Sequence, residues 1–323
     1  MMNSDQNQKA PAYLIDASIY IFQAHFSPYI ECYDTDGEDL SALYGFSQFL
    51  IQFLRREKPQ IIAIAMDNSL FCGFRHELCD YYKSNRELPD ENLARQLAAC
   101  ARLCEIMGLA SFSSRKYEAD DIIGTLARRL REDGDFSKQP PSRIGIVTRD
   151  KDLAQVLKND AEFVWDYQNN RKRFSKDIFH HMGVYPAQIP DYLGLVGDAV
   201  DNITGVPGVG PVKGKCLLKE FEDMDAIYRN IGRIANLTLR GAAKLGQLLD
   251  EYKEQAYLSK QLATIVDDVE DETESFSVIP LDALARKKAD PNRLANLFAD
   301  EKFDTRFSDS MVNVLLKLNE SIQ

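Results

Sequence analysis

Residues 60–69 read QIIAIAMDNS, an apolar run that stops at Asp67. The run is continuous rather than alternating and rich in Ile and Ala, the pattern of a strand buried on both faces. Two other stretches share the design: AYLIDAS (12–18) reaches Asp16, and RIGIVTRDKD (143–152) leads to Asp150 and Asp152. Between them lie segments with helical spacing, LYGFSQFLIQFLRRE (43–57) and ENLARQLAACARLCEIMG (91–108), the second closed by Gly108 as a C-cap. Strand, helix, strand, helix predicts an α/β fold, a mostly parallel sheet flanked by helices. Ligands of such sheets bind outside the carboxyl ends of the strands, so strands that end in Asp aim carboxylates at one place.

The stretch KYEADDIIGTLARRL (116–130) puts Glu118, Asp120 and Asp121 at the head of another helix, before the third of these strands. Acidic residues favour a helix first turn, where unpaired N–H groups and the macrodipole attract anions. One or two carboxylates need no further reason. Three carboxylates in one sector repel each other unless a cation sits between them, so a metal site stands beside the helix-start reading.

The bulk numbers narrow the class. A chain of 323 residues, 45% hydrophobic and 28% charged, is globular and long enough for two domains or one large one. No window approaches the ~20 unbroken apolar residues of a membrane span, and the N-terminus MMNSDQNQKAP carries no apolar signal core. Six cysteines form no CxxC pair, which points away from zinc and disulfide frameworks and toward a reducing, cytoplasmic setting. Cys100 and Cys104 share a helix face and read as small core residues. The net charge of −11 argues mildly against a nucleic-acid partner, although basic residues gather in RKRFSK (171–176) and KGKCLLK (213–219).

From Tyr192 the texture changes to DYLGLVGDAVDNITGVPGVGPVKGKCLLKEF, where Asp198 and Asp201 add two carboxylates three apart. The run GVPGVG (205–210) breaks one helix, and Pro211 starts the next. Glycines at such a turn let backbone N–H groups approach a phosphate; a plain interhelical turn is the simpler alternative. The stretch GAAKLGQLLDEYKEQAYLSKQLATIV (241–266) reads as helices, and the acidic segment after it as an exposed strand or connector.

Asp16, Asp67, Glu118, Asp120, Asp121, Asp150, Asp152, Asp198 and Asp201 are oxygen donors with no His or Cys among them, a set that selects Mg²⁺ or Mn²⁺ over zinc. Two such ions about 4 Å apart suit in-line phosphodiester displacement. Between Asp67 and Glu91 lies FCGFRHELCDYYKSNRELPDEN, whose Arg75, Tyr81, Tyr82, Lys83 and Arg86 interleave cations with aromatics, a pattern that suits single-stranded nucleic acid; surface packing of snorkelling side chains is the simpler alternative for Arg75 and the tyrosines.

These motifs, in this order, resemble the structure-specific 5′ nucleases or flap endonucleases, above all the 5′-nuclease domain of bacterial DNA polymerase I and its stand-alone relatives: YLIDAS, Asp67 followed by FRHEL and YYKSNR, YEADD, TRDKDL and GDAVDNITGVPGVG. The resemblance runs from YLIDAS to about LATIVDDV. It implies a PIN-like (resolvase-like) core over residues 1–190 with a helical arch or gateway around 72–95 and a helix-hairpin-helix (H3TH) module over 191–265; the remainder, 266–323, is expected to be a C-terminal extension packing on the core. Asp16, Asp67, Glu118, Asp120 and Asp121 would hold a first metal, Asp150 and Asp152 would lie between the sites, and Asp198 and Asp201 would serve the second. Lys83 and Arg86 match the gateway cations that contact the scissile phosphate and join Asp120 and Asp150 as catalytic residues. Tyr82 matches a base-stacking aromatic, with Arg75 beside it. Gly205, Val206, Gly208, Val209 and Gly210, with Lys213 and Lys215, would bind the duplex backbone, where relatives also hold a potassium ion.

Two departures stand out: Gln23 replaces an Arg common a turn beyond the first Asp, and Lys213 stands one position from the usual phosphate-binding Lys. The implied enzyme is a monomeric 5′-3′ exonuclease and flap endonuclease. It cuts DNA bearing a 5′ flap, overhang or nick, including RNA primer strands on DNA, by a two-metal mechanism. A PIN-type ribonuclease and a non-catalytic junction-binding protein are the competing readings. The first has no need of the hairpin or of Asp198 and Asp201, and the second no need of intact carboxylates.

Overall fold

A computed structural model of the chain describes residues 11–132, 143–270, 281–320 and 322. The polar N-terminal segment before Pro11 and part of the acidic run 267–274 lie outside the described residues. In chain order the elements are β1 (Ala12–Asp16), α1 (Ala17–His25), α2 (Ser41–Glu57), β2 (Ile61–Asp67), α3 (Phe74–Leu78), α4 (Glu91–Ile106), β3 (Ala110–Ser114), α5 (Ala119–Glu132) and β4 (Ile144–Val147). They continue with β5 (Phe163–Asp166), β6 (Arg171–Arg173), α6 (Ser175–Met182), α7 (Ile189–Val196), α8 (Pro211–Phe221), α9 (Met224–Arg229), α10 (Ala242–Glu251), α11 (Lys253–Ala263), α12 (Pro291–Asp300) and α13 (Thr305–Asn319). Among the described residues no helix is long and apolar enough to cross a membrane. The chain folds into two compact units that interleave in sequence: Met1–Ser69, Leu88–Arg149 and Asp267–Gln323 form the first, Leu70–Glu87 and Asp150–Val266 the second.

In the first unit four strands run parallel in the order β3-β2-β1-β4. Every residue of β1 is buried, and β2 is buried through its middle, which is what continuous apolar runs specify. Register sets Asp16 opposite Ala65 and Asp67 opposite Ser114, so both aspartates finish their strands at the same edge. Helix α5 packs on β1, β2 and β3. It buries Ile122, Ile123, Leu126 and Leu130 at helical spacing, the apolar face that holds its N-terminus beside the strand ends. Gly108 follows α4 with φ +70, and a Cβ there would stand 2.3 Å from the Lys287 carbonyl oxygen, so the predicted glycine C-cap is required twice over. Cys100 and Cys104 are fully buried on α4, and burial pushes both thiols up.

The second unit carries the antiparallel pair β5 and β6 and a helical body. Helix α7 lies against α11, where Lys260 Nζ pairs with Asp191 Oδ1 at 2.6 Å. The chain leaves α7 through Gly197 (φ +80) and returns past it through Gly205 (φ +65). A Cβ on Gly205 would lie 2.4 Å from the Gly197 nitrogen, so only glycine lets the two backbones cross. The chain then enters α8 with Pro211 at its first position, the helix, glycine-rich turn, helix arrangement expected from sequence.

Candidate active site

In the first unit the carboxylates gather where β1 and β2 end and α5 begins. Thr148, one residue past β4, donates its hydroxyl to Asp16 Oδ2 at 3.0 Å, and Asp16 is buried. Ser18 Oγ accepts the Asp67 backbone N–H at 3.0 Å, and Asp67 Oδ1 accepts the Ala119 N–H at 3.2 Å, which ties the strand end to the first turn of α5. Ser114 Oγ accepts the N–H groups of Lys116 (3.0 Å) and Tyr117 (3.1 Å), which shapes the turn that delivers Glu118. Asp121, with no exposed surface, reaches back and accepts the Glu118 N–H at 3.0 Å, the return half of a capping box. One carboxylate of the triplet therefore caps its own helix, and Glu118 is buried beside it.

In the second unit Asp150, Asp152, Asp198 and Asp201 come together. Asp150 Oδ1 accepts the Asp152 N–H at 2.7 Å, which turns the chain and sets Asp152 at the start of a 3₁₀ turn. Residues Asp198 and Ile203 exchange both backbone hydrogen bonds, at 2.8 and 2.7 Å, closing the loop that carries Asp198 and Asp201. Burial, and then the Asp150, Asp198 and Asp201 carboxylates, push the Asp152 carboxyl up to about 8 against the pull of Lys151. Asp198 stays below the usual carboxylate range: burial pushes it up, but the Lys151 ammonium at 2.8 Å and the Val200 N–H outweigh that. Burial lowers Lys151, yet its bond to Asp198 and the charges of Asp152, Asp198 and Asp150 carry it above the ordinary lysine value.

The chemistry of the donors fits a hard divalent cation. Asp152 Oδ1 is a buried carboxylate oxygen without a hydrogen-bond partner among the described residues, beside three more carboxylates. An ion answers both the missing partner and the repulsion. Among the described residues no group of three or more Asp, Glu, His or Cys side chains is placed to hold a metal ion as the side chains stand.

The segment expected to hold substrate consists of the short helix α3 and the turns that follow it. It is fastened to the Asp198–Ile203 loop: the Lys83 N–H donates to the Asp201 carbonyl (3.0 Å), and Asn202 Nδ2 donates to the Tyr81 carbonyl (2.7 Å) and Ser84 Oγ (3.0 Å). Arg86 pairs with Asp201 Oδ1 at 2.7 Å, and Lys83 Nζ lies 3.9 Å from Oδ2. Lys83 is buried, has φ +49 and lies over the Tyr82 ring at 5.1 Å. Tyr82 is itself buried, edge-on to His76 at 5.4 Å, with Tyr81 more exposed beside it. Arg75 is also inside, donating from Nε to the Leu262 carbonyl and from a terminal nitrogen to that of Thr264, both at 2.8 Å. At the hairpin Val206 and Val209 are buried, and Lys213 Nζ donates to the Gly208 carbonyl at 2.7 Å. Lys215 lies over Gly183, and nothing would crowd a Cβ at Gly210.

Sequence reasoning missed Thr148, Lys151 and Asn202. A signal existed for two of them: Lys151 stands between two candidate ligands in TRDKD, and Asn202 follows Asp201 directly. Thr148 looks like any residue after a strand.

The family model described as 5'-3' exonuclease, N-terminal resolvase-like domain matches residues 11–183, and 5'-3' exonuclease, C-terminal SAM fold matches residues 184–291. A 5'-3' exonuclease of Buchnera aphidicola subsp. Schizaphis graminum (strain Sg) is 32% identical over 263 residues, 81% of this chain and 88% of the relative. A DNA polymerase I of Bacillus subtilis (strain 168) is 32% identical over 261 residues, 79% of this chain but only 28% of the polymerase. Among solved structures, T5 5'-exonuclease with divalent metal ions (zinc) bound matches with a TM-score of 0.60 at 18% identity, covering 96% of this chain and 99% of that one, a likeness of fold. The chain belongs to the 5'-3' exonuclease family and is a nuclease.

Proposed function

We propose that the protein is a divalent-metal-dependent 5′-3′ exonuclease and flap endonuclease that hydrolyses DNA phosphodiester bonds near the junction of a 5′ single strand with duplex. The observation that carries the metal dependence is Asp152, whose Oδ1 is buried beside like charges and has no hydrogen-bond partner among the described residues. Family membership and the polymerase I relative support DNA as substrate. The nine carboxylates are assigned to two Mg²⁺ or Mn²⁺ ions as the family resemblance implies: Asp16, Asp67, Glu118, Asp120 and Asp121 to one, Asp198 and Asp201 to the other, with Asp150 and Asp152 shared. Bound ions of this kind polarise water and stabilise charge that develops on phosphate oxygens. Lys83 and Arg86 exchange Asp201 for the substrate phosphate and hold its charge, and the backbone of Gly205–Gly210 with Lys213 and Lys215 binds the duplex; Tyr82, whose ring is buried beneath Lys83 and against His76, supports that ammonium instead of stacking a base.

Product lengths from end-labelled 5′-flap, nicked and blunt duplexes test this reading. Cuts should cluster at the flap junction in Mg²⁺ and vanish in EDTA. Products in EDTA, or preferred cutting of RNA hairpins, would overturn it. The support of Asp16 gives a milder check. Thr148→Val removes the hydroxyl that orients a ligand, which is expected to weaken Mn²⁺ binding about 10- to 100-fold with the fold retained, measured by calorimetry.

A further inference from the structure

We propose that Lys151 is the resident counter-ion of the second unit's carboxylates and sets how readily they take a divalent ion. The inference rests on the reading that these carboxylates hold metal, and it names a positioning residue that the nuclease assignment does not include. Lys151 Nζ sits 2.8 Å from Asp198 Oδ2, and the Asp198 side chain is only 4% exposed whereas that of Lys151 is 54% exposed. The ammonium thus reaches in from solvent to neutralise a carboxylate that water hardly touches. Its neighbours are arranged alike: Arg86 and Lys83 hold Asp201, so cations of the chain already face both carboxylates of the loop.

An incoming ion must then replace charge rather than fill a vacant negative site. A lysine is suited to this, because a flexible stem and a half-exposed head let it swing back to water, while a bidentate arginine would resist. A tethered ammonium competes with the ion at every concentration and weakens the apparent affinity. Removing it leaves Asp198 buried without its partner, which destabilises the metal-free fold and strengthens the demand for an external cation.

Calorimetric titration of Mn²⁺ into the full chain without DNA separates the outcomes. Lys151→Met is expected to bind its weaker ion about tenfold more tightly than wild type, about 1.4 kcal/mol, and Lys151→Arg to bind no more tightly than wild type. In EDTA the Lys151→Met protein should melt lower than wild type and gain more in melting temperature when Mn²⁺ is added. Equal or weaker Mn²⁺ affinity in Lys151→Met overturns this inference alone, since the ions still bind. Absence of Mn²⁺ binding in all three proteins overturns the metal reading and this inference with it.

Discussion

Asp150→Asn and Asp120→Asn are each expected to slow cleavage of 5′-flap DNA in Mg²⁺ by about a thousandfold or more while leaving affinity for the same DNA within a few-fold. The magnitude follows from the proposed role: a carboxylate that holds a divalent ion beside the scissile phosphate would serve mainly the transition state, where negative charge builds on the phosphate oxygens. Asparagine is the informative replacement at both positions. Asp150 Oδ1 accepts the Asp152 N–H at 2.7 Å, and an amide oxygen accepts that bond equally well, so the turn survives and only the negative charge is lost. Asp120 is the second residue of α5, a first-turn position that tolerates asparagine. Single-turnover cleavage and anisotropy of a labelled flap duplex measure the two quantities separately. Undiminished cleavage by either variant would remove that carboxylate from the chemistry. A parallel loss of binding would mean the substitution damaged the fold instead.

Much of the scaffold that carries those residues is legible because β1, β2 and β4 are buried through their middles and so must be apolar without interruption. Strand β3 is not legible, because its sequence ASFSS is chosen for other ends. It is the outermost of the first unit's four parallel strands, and Ser114 spends its hydroxyl on the turn that presents Glu118. The basic run RKRFSK stands out in the sequence only as a gathering of charge, yet Arg171–Arg173 is strand β6, with Lys172 lying over Trp165 at 4.1 Å. Short strands paired across a turn leave little periodicity to detect.

The carboxylates are legible as types and spacings, whereas their partners are not. Glu118, Asp120 and Asp121 invite a helix-start reading and a metal reading, and the structure gives substance to the first: Asp121 does cap its helix. Arg86 and Lys83 read as cations for phosphate, but their resting partner, Asp201, lies more than a hundred residues away in sequence. A pairing of that range leaves no local trace. The same holds for Tyr82, whose aromatic character is plain from the sequence and whose burial is not.

Arg75 is the case where residue type misleads most, and it yields the second large effect. A cation in FRHEL, a few positions before YYKSNR, invites assignment to phosphate. In the structure its guanidinium is buried and donates to the carbonyls of Leu262 and Thr264, where the chain leaves α11. Gln155 holds the same stretch from another side, donating to the Ala263 carbonyl at 3.0 Å and accepting the Ile265 N–H at 3.0 Å. A fork of rigid donors suits several carbonyls at a helix end, and a charged donor to a buried carbonyl contributes more than a neutral one. Arg75→Met keeps the stem and removes the donors, leaving buried carbonyls unpaired, and is expected to lower unfolding stability by about 3 kcal/mol. Arg75→Lys should recover only part of this, since a single ammonium cannot span both carbonyls in the same geometry. Urea unfolding measures the loss, and the salt dependence of DNA binding supplies the contrast. A structural tie leaves the salt slope of the folded variant unchanged, whereas a phosphate contact lowers it by about 1 while stability stays near wild type.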